Sequence, residues 1–446
     1  MSAGAPHTGG PRRRPKLFRD PVHDVIAMDP SDPSDALALR LLDTKEVQRL
    51  RRVRQLGLTS LVFHGAEHSR FAHSLGVFHV ARRILDVLGR EWPITPDERR
   101  LVLAAGLLHD VGHGPFSHAA ERAFGFVHED WSRAILTDGD TEVGAVLRQA
   151  DPQLHAAIAG FIAHRPIAAR HLADVVSSQL DADRLDYLLR DGAATGVGYT
   201  YDLPRIVEAM EVDPASQRLV VGYRGHDAVE GYLLTRHHMY RNLYFHKTTR
   251  AASAMLLAAL RRARVLAASN ELPVEGLPRA LLCFIRGDAV TVTEYLDLDD
   301  GDVWRALKLW RSARDPLIAR LATGLLDRRL YKTIDVTDLA PAQRARLQER
   351  AAALLLAGGQ DPAYALLQDE TRGKPYQPYA GAATLDPHGE AAIFVRGPDG
   401  VIREIAETSA TVRALAAADV AVRWCVPPEF RREVLAISQE LALGAG

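Results

Sequence analysis

Cysteine is nearly missing from this chain: 446 residues hold two, Cys283 and Cys425, far apart in sequence. That scarcity excludes a disulfide scaffold and a zinc cluster built on thiolates, and suits a reducing compartment. Long apolar runs are also absent, none approaching the ~18 residues of a membrane-crossing helix, so no membrane partner is expected. Neither sign of charge is in excess, with 55 Lys plus Arg against 56 Asp plus Glu. No global positive field exists to hold a nucleic acid by counterion release, and a nucleic-acid partner is not expected. The first residues lack the apolar stretch of a secretion signal, which points to the cytoplasm. Residues 1–15, small, Pro-rich and basic (Arg12, Arg13, Arg14), read as a disordered arm. The rest, 47% apolar and 25% charged, has the balance of a globular protein.

What the chain has in quantity is helical periodicity. Ser69 reads as an N-cap for a helix whose apolar stripe, Val77, Val80, Ile84 and Leu88, also carries His73. A second helix, 96–109, is apolar almost all round from Leu101 to Leu108 and is broken by Gly112, Gly114 and Pro115. Long helical stretches are expected at 168–190 and 226–268, and an extended segment carrying Asp20-Pro21-Val22-His23 at 17–28. Beyond residue 330 strands are expected at 331–336, 391–396, 401–405 and 421–426, then a helix at 429–443. The fold class is therefore mainly α: a helical core over 16–330 and a smaller mixed α/β lobe over 331–446.

Eighteen histidines are the chemical signal. Six of them fall within 56 residues, His73 to His128, several beside apolar stripes and next to acids such as Asp110 and Glu129. Asp181 and Asp183 follow an apolar stretch later on. Imidazoles with carboxylates and no thiolate suit one divalent transition metal, Mn, Fe, Zn, Ni or Co, with positions left for water and substrate oxygens. Two stripes suit an extended anionic ligand. Asp183, Tyr187 and Asp191, spaced by four, share one helix face about 12 Å long. Arg236, Tyr240, Tyr244 and Lys247, with His246 adjacent, set cations beside aromatics, as phosphates and a flat base require.

Three blocks carry a resemblance to a known family: Arg70-Phe71-Ala72-His73-Ser74-Leu75-Gly76, His109-Asp110-Val111-Gly112-His113-Gly114-Pro115-Phe116-Ser117-His118, and Asp181-Ala182-Asp183-Arg184-Leu185-Asp186-Tyr187-Leu188-Leu189-Arg190-Asp191. Over residues 16–335 the chain resembles the deoxynucleoside triphosphate triphosphohydrolases of the HD phosphohydrolase superfamily. The resemblance implies metal ligation by His73, His109, Asp110 and Asp183. It implies His118 as the acid/base group, oriented by Glu129 or Asp110, with His113, His128 and Glu129 lining the reaction site. It further implies Arg70 and Arg184 on phosphates, Gln55 and Asp191 on the sugar 3′-hydroxyl, and Tyr187 against the ribose, excluding a 2′-hydroxyl. Arg236, Tyr244, His246 and Lys247 match nucleotide contacts, whereas Tyr240 and Phe245 depart from the family pattern, which touches base preference. Lys16, Asp43, Gln48 and Arg51 match a nucleotide-effector site, from which Arg19 departs. A homo-oligomer, dimer or tetramer, and Mg²⁺ carried with the triphosphate are implied as well. The reaction implied is attack of water on the α-phosphorus, giving deoxynucleoside and inorganic triphosphate. Action on another phosphoester (a nucleoside monophosphate, an alarmone or a cyclic dinucleotide) and a non-catalytic nucleotide sensor are the alternatives.

Overall fold

The computed structural model describes residues 14–163, 169–373, 376, 392–415 and 419–443, apart from the side chains of His118, Arg372 and Asp419. The expected basic arm, but for residues 14 and 15, lies outside that range. The described residues are mainly α-helical, with small sheets, and no helix is long and apolar enough to cross a membrane.

The helix Arg70–Leu88 starts where expected: the Ser69 side chain accepts from the Ala72 amide. Its neighbour Pro96–Leu108 opens on Thr95 and Glu98 in a reciprocal capping box, with proline at the first helical position, where its missing N–H costs nothing. Both pack in the main core, Val77, Phe78 and Ile84 of one meeting Val102, Leu107 and Leu108 of the other, all fully buried. The helix Ala182–Thr195 closes the other side of Arg70–Leu88.

The stretch expected as one helix over 168–190 is two, Arg170–Val176 and Ala182–Thr195. Asp181 ends the break between them by capping the second through the Arg184 amide. The stretch 226–268 is likewise broken. His226–Met239 runs into a π-helical turn at Tyr240–Tyr244, and the α-helix resumes at Lys247–Ala268. The N-terminal extended segment is an antiparallel hairpin, Lys16–Asp20 against Asp24–Met28. Its reversal is held by the Asp20 carboxylate, which accepts from the amides of Val22 and His23.

Four strands form one sheet in the order Met210–Asp213, Arg218–Val221, Phe394–Arg396, Ile402–Glu404, with the central pair parallel. A second sheet places Asp419–Val426 between Lys332–Asp335 and Leu367–Gly373, all antiparallel. Trp424 and Val426 pack there on Leu347, Ala351 and Leu355 of the helix Pro341–Ala357, which sequence periodicity did not reveal.

Candidate metal centre and its cavity

Two helices and a turn bring the first ligand candidates together. His73 projects inward from Arg70–Leu88, His109 ends Pro96–Leu108 with Asp110 beside it, and Asp183 lies in the first turn of Ala182–Thr195. The His73 Nδ1 bonds to the Asp186 carboxylate at 2.8 Å, and the His109 Nδ1 donates to the Gly106 carbonyl at 2.8 Å. Those bonds assign the protons and leave both Nε2 atoms facing one point. The Asp183 Oδ1 lies 2.9 Å from the His73 Nε2 and 3.6 Å from the His109 Nε2. Asp110 approaches from the other side, 3.3 Å from the His109 Nε2 and 3.9 Å from the His73 Nε2. Both Nε2 atoms are buried and neither makes a hydrogen bond. Burial works against a charged His73 ring, but the Asp183 and Asp186 carboxylates override it and raise its pKa to about 10. Burial alone would raise the Asp183 pKa; the two imidazoles instead hold it below the usual carboxylate range. The carboxylates that favour a proton on the His73 Nε2 would equally favour a divalent cation in its place, and His73, His109 and Asp183 can hold one.

Beside this point the turn after His109 carries a second set of groups. The Arg70 guanidinium donates to Asp110 at 2.5 Å and to the Ser117 hydroxyl at 2.8 and 3.1 Å. Burial would raise the Asp110 pKa, but Arg70, His109 and His113 together hold it well below the ordinary value. His113 stacks on His128, ring centres 3.7 Å apart, and its pKa falls to about 4 through burial and the charge of Arg70. It is therefore neutral at physiological pH. Glu121 reaches this stack, its Oε1 lying 3.2 Å from the His128 Nδ1 and 3.5 Å from the His113 Nδ1. Glu129 lies 3.4 Å from the other His128 nitrogen. The turn itself is pinned from behind. Arg49, fully buried, donates to the carbonyls of His113 and Leu298, and the Tyr295 hydroxyl donates to the Gly112 carbonyl. Gly112 has no room for a side chain, since a Cβ would lie 2.2 Å from the His128 carbonyl and the Ser132 amide.

All of this opens into a cavity of about 880 Å³. Its lining includes His73, His109, Asp110, Asp183, His113, His128 and Glu129, and also Gln55, Arg70, Arg184, Tyr187, Asp191, Tyr240 and Tyr244. Asp191 is tied to the wall, accepting from the Tyr244 hydroxyl at 2.8 Å and bonded to the His68 Nε2 at 2.7 Å. Arg184 holds Asp181 and the Ser178 carbonyl. The expected single stripe over 236–247 holds in part: Arg236, Tyr240 and Tyr244 stay side by side, the two rings 5.3 Å apart, and only beyond the π turn do His246 and Lys247 leave the row. Arg236 is buried 5.7 Å from the Tyr240 ring, with Nε and Nη1 making no hydrogen bond. His246 packs on Phe63 and Lys247 is exposed, and none of these three lines the cavity. The four candidate effector residues form two surface pairs, Lys16 with Asp43 at 3.7 Å and Arg51 with Gln48 at 2.8 Å. The His118 side chain lies outside the described residues.

Sequence reasoning missed Glu121, His68 and Arg49. Glu121 could have been found from its place three residues after His118, on the same short helix His118–Phe124.

Histidines and carboxylates meeting on a helical core in this way define an HD-domain phosphohydrolase. Family models agree, "HD domain" matching residues 70–186 and "HD associated region" residues 201–272. The chain belongs to the HD-domain phosphohydrolase family, whose domains bind divalent metals. Among its relatives is the uncharacterized protein YwfO of Bacillus subtilis, 36% identical over 402 residues that cover 90% of this chain and 89% of that one. A solved phosphohydrolase from Bacteroides thetaiotaomicron is similar throughout, with a TM-score of 0.78 and 29% identity, covering 93% of this chain and all of the other. Human deoxynucleoside triphosphate triphosphohydrolase SAMHD1 is 29% identical over 284 residues, 56% of this chain and 44% of its own length. The match to SAMHD1 thus takes in under half of that protein.

Proposed function

We propose that this protein hydrolyses deoxynucleoside triphosphates to deoxynucleoside and inorganic triphosphate. One observation carries the reading: two buried imidazole nitrogens without hydrogen bonds face two carboxylates at the floor of a cavity whose walls also hold arginines and tyrosines. His73, His109, Asp110 and Asp183 would hold a divalent transition metal there, and when bound that ion supplies Lewis-acid charge at a phosphoryl oxygen.

The chain's own residues do the remainder. Arg70 and Arg184 neutralise the phosphate tail, with Arg236 adding positive charge from behind Tyr240. His113, neutral, lines the site without repelling the arginines. The 5′-oxygen of the sugar is a poor leaving group and needs a proton, which His118 delivers. Asp191, already fixed by His68 and Tyr244, accepts the sugar 3′-hydroxyl, and Gln55 reaches the same edge. Lys16, Asp43, Gln48 and Arg51 form a nucleotide-effector site in a homo-oligomer.

Metal-loaded protein incubated with each deoxynucleoside triphosphate, alone and in mixtures, with products resolved by chromatography, tests this. Deoxynucleoside with triphosphate is expected; a monophosphate with pyrophosphate would overturn the reaction. Activity restricted to mixtures is the expected sign of an effector.

Tyr187 carries the sugar specificity in this reading. Its ring lies between His73 and Tyr244, at 6.4 and 6.2 Å between centres, where a 2′-hydroxyl would collide. Tyr187→Ala is expected to narrow the preference for deoxyribose over ribose by about tenfold or more in kcat/KM, since discrimination by collision vanishes with the colliding ring. An unchanged ratio would assign the selection elsewhere.

A further inference from the structure

The Asp-Pro-Val-His segment of the hairpin has so far been given no role, yet its histidine ends beside the metal centre. His23 is nearly inaccessible, its side chain 3% exposed, and its Nε2 bonds to the Asp186 Oδ1 at 2.7 Å. Asp186 is itself fully buried and belongs to the helix that carries Asp183. Its two oxygens are each held twice. Oδ1 takes His23 and the Arg190 Nη2 at 2.9 Å; Oδ2 takes the His73 Nδ1 at 2.8 Å and the Arg190 Nε at 2.8 Å. A carboxylate accepts about four hydrogen bonds, so this one is saturated and its plane cannot turn.

The hairpin is anchored to the same place a second time. Asp20, whose carboxylate shapes the turn, also accepts from Arg190 at 2.9 and 3.3 Å. The hairpin thus contributes one donor to Asp186 directly and steadies the Arg190 fork that supplies two more. Only the fourth donor, His73, belongs to the metal centre.

We propose that His23 is a positioning residue for the cation site: by locking Asp186 it fixes the His73 ring with Nε2 facing the ion. The inference rests on the reading of His73 as a ligand. A ligating imidazole is oriented by the partner of its other nitrogen, and loss of such partners weakens metal binding by roughly 10–100-fold. Here that partner is oriented in turn by a hairpin far away in the chain.

The test uses the full chain and Mn²⁺ as probe, with binding measured by calorimetry on metal-free protein and the melting temperature recorded with and without Mn²⁺. His23→Phe fills the same space without a donor, and His23→Gln keeps a donor. His23→Phe is expected to bind Mn²⁺ roughly 10–100-fold more weakly, with a smaller Mn²⁺-induced rise in melting temperature, and His23→Gln to recover most of the affinity. Wild-type affinity in folded His23→Phe would overturn the inference. So would equal losses of melting temperature with and without Mn²⁺ at unchanged affinity, which would mark a purely structural contact. If His23→Phe does not fold, His23→Ala is titrated under the same criteria. Wild-type protein that takes up no Mn²⁺ would overturn the ligand reading itself, and the inference with it.

Discussion

Asp183→Asn is expected to leave the protein folded, to empty the metal centre, and to lower hydrolysis by about 10³-fold or more. The size follows from what the carboxylate does. Its Oδ1 lies 2.9 and 3.6 Å from the two nitrogens that would ligate, and charge stabilisation by a bound metal is worth several kcal/mol, each 1.36 kcal/mol being tenfold in rate. Folding should survive because the start of this helix is capped by Asp181 rather than Asp183, and because the Asp183 side chain is one-third exposed. Metal content by elemental analysis and the rate on each deoxynucleoside triphosphate are the measurements. Full metal content with a wild-type rate would remove Asp183 from the centre.

Gly76→Ala should produce the largest loss of stability, about 3–5 kcal/mol, the range for breaking a buried ion pair. Gly76 lies one helical turn beyond His73, directly against the Asp186–Arg190 pair. A Cβ there would sit 1.8 Å from the Asp186 Oδ1 and 2.4 Å from the Arg190 Nη2. Neither atom can retreat, since Asp186 is held by four donors and Arg190 also spans to Asp20. The helix cannot retreat either, being packed on its far side through Val77 and Phe78. The pair must break or the helix must shift. Urea unfolding measures this: the midpoint should fall at unchanged slope. A midpoint equal to wild type would show that the helix yields without cost.

Burial of Asp186 would raise its pKa, but Arg190, His23 and His73 hold it well below the usual range.

His73 shows why part of the site was legible in the sequence. Its place in a 3.6-residue apolar stripe told which way it points, and local periodicity needs no knowledge of the rest of the chain. His109-Asp110 could be placed because glycines and proline end its helix. Gly76 was not legible in the same way: its neighbours Asp186 and Arg190 come more than 100 residues later, and nothing in local pattern requires a glycine there. Glu121 escaped although its helix was legible, because the rings it meets, His113 and His128, lie on the preceding turn and the following helix and not on its own helical face. Only the end of the stripe over 236–247, at His246 and Lys247, departs from the expected face. Spacing of four marks one face only while the turn stays α, and the π turn at Tyr240–Tyr244 is written in no single residue. In the fold, helix positions were recovered more fully than the breaks within them, at Asp181 and at Tyr240. The hairpin read as merely extended because its reversal depends on one carboxylate, Asp20, folding back on two amides.

The Asp186 hub takes one of its donors, His23, from 163 residues away along the chain. As the polypeptide leaves the ribosome, His73 and His109 emerge well before the acid that completes their set, and the hairpin waits longer still for its anchor. An early-captured ion would have only a partial set of donors. Unlike a zinc finger, whose ligands lie close enough for the metal to drive folding, a centre on these residues would have to be assembled by the protein before it could hold a cation. Metal loading would then be a finishing step of maturation, and protein made in starvation for the ion is expected to fold and to be filled later.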